Sequence, residues 1–228
     1  MIYITGDLHG DISRFSAPAM RRLRKGDTLI VCGDFGFVWD GSAKEQKLLK
    51  KIGAKPYTVL FLDGCHENFQ LLQEYPVTEW NGGRAQVLSG NLIHLMRGQI
   101  YALEGYRFFV FGGGESQEHD FRDLSKTWWE EEMPSAEEMT LGLDNLAAVG
   151  NRVDFILTHE PSARARGYLA GKGDRLDGVN IFLNRVEEIV AYKRWYFGSL
   201  HMDKTMSKQH VAVFQSVVPV AESHARKK

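Results

Sequence analysis

The sequence has little cysteine and no long hydrophobic run, and each shortage excludes a class of protein. Its two cysteines, Cys32 and Cys65, are too few for a disulfide-stapled fold, so we expect both to be thiols. No apolar run reaches the roughly 18 residues that a membrane-spanning helix needs, and no signal region precedes the first apolar run. We therefore expect a cytoplasmic protein with no membrane partner.

An excess of charge of one sign is also lacking. The 228 residues contain 28 Lys and Arg against 29 Asp and Glu, for a formal net charge of −1. This balance predicts no strong nucleic-acid patch, and it means that local groups must hold any anionic substrate. The hydrophobic share of 43% is typical of globular chains. We expect a single domain over residues 1–228, with a frayed tail at 222–228.

Short apolar runs rich in β-branched and aromatic residues recur along the chain. Their hydrophobicity is continuous rather than alternating, which predicts strands buried on both faces. Helical patterns lie between several of them, so the chain predicts an α/β fold. The predicted strands are residues 2–5, 28–32, 58–62, 106–111, 153–158 and 194–197, and the predicted helices are 13–24, 43–52, 67–74, 136–149 and 179–192.

Two further stretches carry a different pattern. Residues 86–111 are interrupted by turn signals such as Ser89-Gly90-Asn91, which predicts antiparallel hairpins in a second sheet. Residues 211–218 form a last apolar run, which predicts a final strand.

Chemically active side chains follow several of the predicted strands. Ligands in α/β proteins bind beyond the carboxyl ends of the strands, so these positions are candidates for a site. Any one of them has an ordinary explanation, since an Asp after a strand is commonly a helix N-cap. Five such strand ends together predict a site for divalent metal, because carboxylate and imidazole groups are suitable ligands. The residues are Asp7, His9, Asp34, Asp63, Cys65, His66, His159 and His201.

These segments resemble the calcineurin-like metallophosphoesterase superfamily. Its pattern is D-x-H, then G-D, then G-N-H-[DE], then a His, then G-H-x-H, and the match runs from Asp7 to His201. The resemblance implies two packed mixed β-sheets flanked by helices. It also implies a phosphoester hydrolase that uses two divalent ions, such as Mn, Fe or Zn, to activate a hydroxide for attack on phosphorus.

The resemblance also implies a role for each matching residue. Asp7, His9 and His201 would bind the first metal, His159 would bind the second, and Asp34 would bridge both. A further histidine, His66, matches the family residue that protonates the leaving oxygen or steadies the transferring phosphoryl group. Asp34 and His66 are therefore the expected catalytic pair.

Two positions depart from the family pattern at the second metal. Cys65 stands where the pattern has Asn, and Ser199 stands where it has the first His of G-H-x-H. Two interpretations stay open. Either the Cys65 thiolate is a ligand, which would favour Zn²⁺ over Mn²⁺ or Mg²⁺, or Cys65 is a small buried residue and the second ion is weak or absent.

A glycine-rich segment that begins at Gly112 carries an arginine and two tryptophans. Arg122 is a candidate for holding a substrate phosphate, or it pairs with a neighbouring acid. Trp128 and Trp129 either stack on a substrate ring or fill core beneath a surface helix.

Two functions are compatible with these residues. The first is an enzyme that hydrolyses a small-molecule or nucleotide-like phosphoester; the loop after Asp34 lacks the D-R-G of phosphoprotein phosphatases, which argues against a protein substrate. The second is a catalytically weakened metal- or phosphate-binding, or regulatory, module on the same fold.

Overall fold

Two mixed β-sheets pack face to face, and helices cover their outer faces. The computed structural model describes residues 1–116, 127–170 and 176–220. This arrangement confirms the predicted α/β fold with two packed mixed sheets. Within the described residues, no helix has the length and apolarity to span a membrane.

The first sheet has a parallel centre and antiparallel edges. Its four central strands run parallel, whereas one strand at the first edge and two at the other pair antiparallel with their neighbours. In spatial order the strands are β13 (Val218–Pro219), β1 (Ile2–Thr5), β2 (Thr28–Cys32), β3 (Thr58–Leu62), β6 (Leu92–Leu95), β5 (Gly83–Ser89) and β4 (Val77–Trp80).

The second sheet repeats this design. Its four central strands are parallel, and its two outer strands are antiparallel to their neighbours. In spatial order the strands are β11 (Lys204–Thr205), β12 (His210–Ala212), β10 (Arg194–Phe197), β9 (Phe155–Thr158), β8 (Tyr106–Phe111) and β7 (Gln99–Leu103).

The helices begin at side-chain caps that the sequence supplies. Ser42, Asn68, Ser135 and Asp177 each accept a hydrogen bond from a backbone N–H of the first turn, which satisfies a donor that the helix itself leaves free. The α-helices are α1 (Ala43–Gly53), α2 (Phe69–Gln73), α3 (Ala136–Ala148), α4 (Ala163–Ala170) and α5 (Gly178–Ile189), and short 3₁₀ helices lie at Ile12–Ser16, Met20–Arg22 and Glu130–Glu132.

Successive residues of the central strands face opposite layers. On β2, Ile30 and Cys32 point into the core between the sheets, whereas Leu29 and Val31 pack in the layer that includes α1. This period of two explains why the central strands are apolar throughout. A third cluster lies on the outer face of the second sheet, against α3 and α5.

Three sequence predictions need correction. Residues 13–24 contain two short 3₁₀ helices rather than one α-helix, because Pro18 lacks an N–H and its ring disfavours helical backbone at the preceding residue, Ala17, which has a ψ of 147°. In the stretch 86–111, only β7 and β8 join the second sheet; β5 and β6 belong to the first, since β6 pairs with β3. The apolar run 211–218 is split between β12 and β13, which lie in different sheets.

We expect Phe108→Ala to lower the free energy of unfolding by about 3–5 kcal/mol, because it opens a cavity in the core between the sheets. Phe108 is fully buried and packs on Phe155 with ring centroids 5.0 Å apart. Urea denaturation measures the loss. Ile181→Ala, at an exposed position of α5, is the control and should change stability by no more than about 0.5 kcal/mol.

Candidate metal centre

The candidate site lies where loops from both sheets meet. Asp7 and Asp34 follow β1 and β2 of the first sheet, and His159 and His201 follow β9 and β10 of the second. Only short distances separate these groups: the His159 ring is within 3.7 Å of both carboxylates. The carboxyl ends of strands from two sheets therefore converge, whereas Asp63, which the sequence analysis grouped with these residues, pairs with His94 and Arg97.

The backbone at this site is strained. Asp7, His9, Asp34, Ser199 and His201 all have φ between 43° and 63°, the left-handed region that residues with a side chain seldom adopt. Each such residue costs on the order of 1–3 kcal/mol and persists only where its surroundings hold it. Strain concentrated in this way is typical of a ligand-binding site.

Four side chains bring their ligand atoms within 4.8 Å of one another: Asp7, His9, Asp34 and His201. The Nε2 atoms of His9 and His201 are 2.9 Å apart, and His9 Nε2 lies 3.7 Å from Asp34 Oδ2. Two ring nitrogens that bind the same ion at about 2.1 Å, at right angles to each other, lie about 3.0 Å apart, close to this separation. The spacing therefore fits a single divalent cation.

The charge states of this group suit a cation. Burial lowers the pKa of His9 to about 4 and also lowers the pKa of His201, so both rings are neutral at pH 7 and have a lone pair to give. Asp7 Oδ2 is buried and accepts no hydrogen bond from the described residues. Burial raises the pKa of Asp7 to about 7, so its charge is costly without a donor, and a bound cation would favour the carboxylate form and satisfy this oxygen.

The Asp34 carboxylate is the centre of the site. Its Oδ1 accepts the backbone N–H groups of Cys65 and His66, each at 2.8 Å, and its Oδ2 lies 2.9 Å from His66 Nδ1. Burial would raise the pKa of Asp34, but the facing rings of His159, His66 and His9 hold it well below its usual range. The group is therefore an anion within reach of both candidate metal positions.

His159 lies between the two carboxylates. Its Nδ1 is 3.3 Å from the Cys32 carbonyl oxygen and 3.7 Å from Asp7 Oδ1, and its Nε2 is 3.6 Å from Asp34 Oδ1. Burial would lower its pKa, but the facing carboxylates of Asp34 and Asp7 raise it to about 9. Without a metal, both ring nitrogens are therefore protonated at neutral pH, and the ring is a cation.

Cys65 is brought to the same carboxylate. Its Sγ lies 3.9 Å from Asp34 Oδ2 and 3.3 Å from His66 Nδ1, and the three side chains form a second group with metal-ligand spacing. Their positions depend on Gly64, where a Cβ would come 2.1 Å from Asp34 Oδ1. Only glycine lets the loop after β3 approach Asp34 this closely.

Ser199 contacts the metal group through its backbone and not through its hydroxyl. Its backbone N–H donates to Asp7 Oδ1 at 3.0 Å, and its hydroxyl donates to Glu160 Oε1 at 2.5 Å. The Glu160 carboxylate is buried and is also bound by Arg166 and Asn180. The serine hydroxyl is therefore committed to a polar network beside the site.

The comparison with known families agrees with this geometry. The sequence matches the model of the calcineurin-like phosphoesterases over residues 1–204. The chain belongs to the calcineurin-like phosphoesterase family. No curated protein matches it. The family match confirms the resemblance that the motifs indicated and supports a phosphoesterase that uses divalent metal.

Glu67 follows His66, at the acidic position of the family pattern, and the structure shows what its carboxylate binds. Glu67 is fully buried, and its carboxylate accepts the backbone N–H groups of Phe35 and Gly36 at 2.7 and 3.1 Å. It thereby holds the turn that carries Asp34. Sequence reasoning could not predict that Glu67 holds this turn, because its partners lie 31 and 32 positions away.

Three candidates from the glycine-rich segment have different outcomes. Arg122 lies outside the described residues, so its phosphate-binding role stays a prediction. Trp128 and Trp129 are half-buried, and Trp129 packs edge-on against Trp39 with ring centroids 5.6 Å apart. The two tryptophans are therefore neither fully buried in the core nor fully exposed.

We expect an ion that binds at His159 to displace about one proton from this ring at pH 8, because a histidine that binds metal must be neutral and the pKa of this ring is about 9. Its apparent affinity should therefore rise with pH until about pH 9. Calorimetric titration with Zn²⁺ in two buffers of different ionisation enthalpy measures the release, and His159→Gln should lower it by about one proton. Equal heats in both buffers for the wild type would contradict the assignment.

Proposed function

We propose that this chain hydrolyses a small-molecule or nucleotide-like phosphoester in a reaction that depends on divalent metal. The observation that carries the proposal is the group of Asp7, His9, Asp34 and His201, whose spacing and charge suit a cation. When bound, such an ion supplies a nucleophilic hydroxide at neutral pH and neutralises charge on the phosphoryl oxygens. Membership of the family supports the same chemistry.

In this proposal His66 donates the proton to the leaving oxygen. Its Nδ1 is held by Asp34 Oδ2 at 2.9 Å, which fixes the orientation of the ring, and its side chain is 30% exposed. Among the described residues none hydrogen-bonds to its Nε2, so this atom can donate to a substrate. Asp34 has two roles, as a metal ligand and as the group that orients the proton donor.

For a second ion we propose Asp34, His159 and Cys65 as ligands. The support is the 3.6 Å separation of His159 Nε2 from Asp34 Oδ1 and the grouping of Cys65 with Asp34. A thiolate ligand favours a softer ion, so we propose Zn²⁺ at this position, with Mn or Fe compatible with the first. The substrate is held by these ions and, we propose, by Arg122.

The second candidate function is a weakened metal- or phosphate-binding module. The observation that favours it concerns Ser199, which replaces a histidine of the family pattern and so supplies no imidazole to the second ion. Its hydroxyl is bound to Glu160 at 2.5 Å instead. A location in the reducing cytoplasm is part of either proposal, since Cys32 and Cys65 are free thiols.

We expect His9→Ala and His66→Ala to separate metal binding from proton transfer. His9→Ala removes a ligand of the first ion, so both metal content and activity should be lost. His66→Ala should keep its metal and lower kcat by roughly 10²–10⁴, because the ring donates a proton without binding the ion. Metal counting by mass spectrometry and turnover of bis-p-nitrophenyl phosphate test both. Metal loss in His66→Ala would show that His66 is a metal ligand and that its assignment as a proton donor is wrong.

The second candidate function, in which the parent lacks the second ion, predicts that Ser199→His combined with Cys65→Asn restores a second site of the family type. Imidazole and amide ligands are harder than a thiol, so the double variant should bind a second Mn²⁺ and hydrolyse bis-p-nitrophenyl phosphate faster than the parent. Each single variant should gain less, because both positions act on one ion. Tight binding of two ions by the parent, or a slower double variant, would instead support Cys65 as a working ligand of the second ion, as proposed above.

A further inference from the structure

The His201 ring needs support that its own loop does not provide. Its side chain is 51% exposed, and its backbone has a φ of +46°. An exposed side chain on a strained backbone would lose conformational entropy on binding an ion. One face of the ring, however, lies on Phe214, with centroids 5.0 Å apart and planes 24° from parallel.

Phe214 is itself held at several points. Its backbone N–H donates to Asp203 Oδ1 at 2.8 Å, and its carbonyl oxygen accepts hydrogen bonds from Arg14 Nη2 at 2.6 Å and from Thr5 Oγ1 at 3.0 Å. The Arg14 guanidinium also lies over the ring, 5.4 Å from its centroid. Because both its backbone and its ring are fixed, Phe214 offers His201 a rigid surface.

The same arginine holds a ligand in the other sheet. Arg14 Nη1 donates to the Asp7 carbonyl oxygen at 3.2 Å, and Nη2 donates to the Gly6 carbonyl oxygen at 3.3 Å. The backbone of Asp7 and the ring of His201 are thus connected through Arg14 and Phe214. Both ends of this connection are members of the four-residue metal group.

We infer that Phe214 is a positioning residue for the metal centre, which it serves by stacking on His201 and fixing the ring while Arg14 holds Phe214 against Asp7. The inference rests on the proposed function only in taking Asp7 and His201 as metal ligands. Phe214 lies outside the residues 1–204 that match the family model. Residues that orient a ligand typically change metal affinity by about 10–100-fold when they are removed.

The first test measures the dissociation constant of Mn²⁺ with no substrate present. Phe214→Leu should weaken binding by about 10–100-fold, and Phe214→Tyr should restore it to within about threefold, because the stacked ring is kept. Tyr106→Leu is the matched control, since Tyr106 is also a half-buried aromatic beneath a cation, 5.2 Å from Lys193 Nζ, but at the amino end of β8. It should bind Mn²⁺ as the wild type does.

The second test is spectroscopic and uses the metal-free protein. A phenyl ring stacked on His201 shifts the imidazole proton resonances upfield through its ring current. These resonances, assigned by their loss in His201→Gln, should return toward ordinary values in Phe214→Leu and stay shifted in Phe214→Tyr. Resonances that do not move in Phe214→Leu would show that the stack is not formed in solution and would overturn the inference.

The outcomes separate this inference from the proposed function. Unchanged Mn²⁺ affinity in a folded Phe214→Leu protein would overturn the inference even if the wild type is an active hydrolase. The expected affinity loss and ring shift in a protein without hydrolase activity would support it while the proposed function fails. If Phe214→Leu does not fold, Arg14→Lys decides, because it loses the paired hydrogen bonds: unchanged affinity and resonances there would overturn the inference.

Discussion

The buried negative charge of Asp34 is the constraint on which the rest of the site depends. Taking a carboxylate out of water costs several kcal/mol unless donors surround it. Here the loop after β3 supplies two backbone N–H groups and the His66 ring, and the second sheet supplies the ring of His159. Satisfying one anion therefore brings together the groups that the proposed chemistry uses.

The surrounding fold makes that geometry possible at a cost in local backbone strain. Five site residues adopt left-handed backbone. Acidic side chains fix segments next to them, since Glu67 accepts the Phe35 N–H beside Asp34 and Asp203 accepts the N–H of Phe214, which stacks on His201. Parallel strands of both sheets bring these loops to one place. The rigid core between the sheets then fixes how far apart the loops lie.

Much of the fold followed from the sequence because continuous apolar runs are typical of strands buried on both faces. The bounds of β1, β2, β3, β8 and β10 agree with the runs that predicted them. Prediction failed where a single residue or a distant contact decides the outcome. Pro18 breaks a helical pattern, and the run 211–218 divides because its backbone is bound by Asp203 and then pairs with β1.

The candidate site, like the fold, could be predicted from the sequence only in part. Residues at strand ends were predicted as a group because topology brings strand ends together. The residues that hold them were not, because Ser199 and Glu160 are 39 positions apart and Arg14 and Phe214 are 200 apart. The direction of the Ser199 hydroxyl, in particular, depends on a partner that no local pattern indicates.

The candidate centre lies across the seam between the two sheets, since Asp7, His9 and Asp34 come from one sheet and His159 and His201 from the other. Ligand spacing there is consequently a measure of how the layers are aligned. A slide of one sheet over the other by a fraction of an ångström would alter the distances across the seam without moving any loop relative to its own strand. A bound ion would resist that slide because it holds ligands from both sheets. Substitutions in the interlayer core, far from any ligand, can therefore change the affinity for the metal.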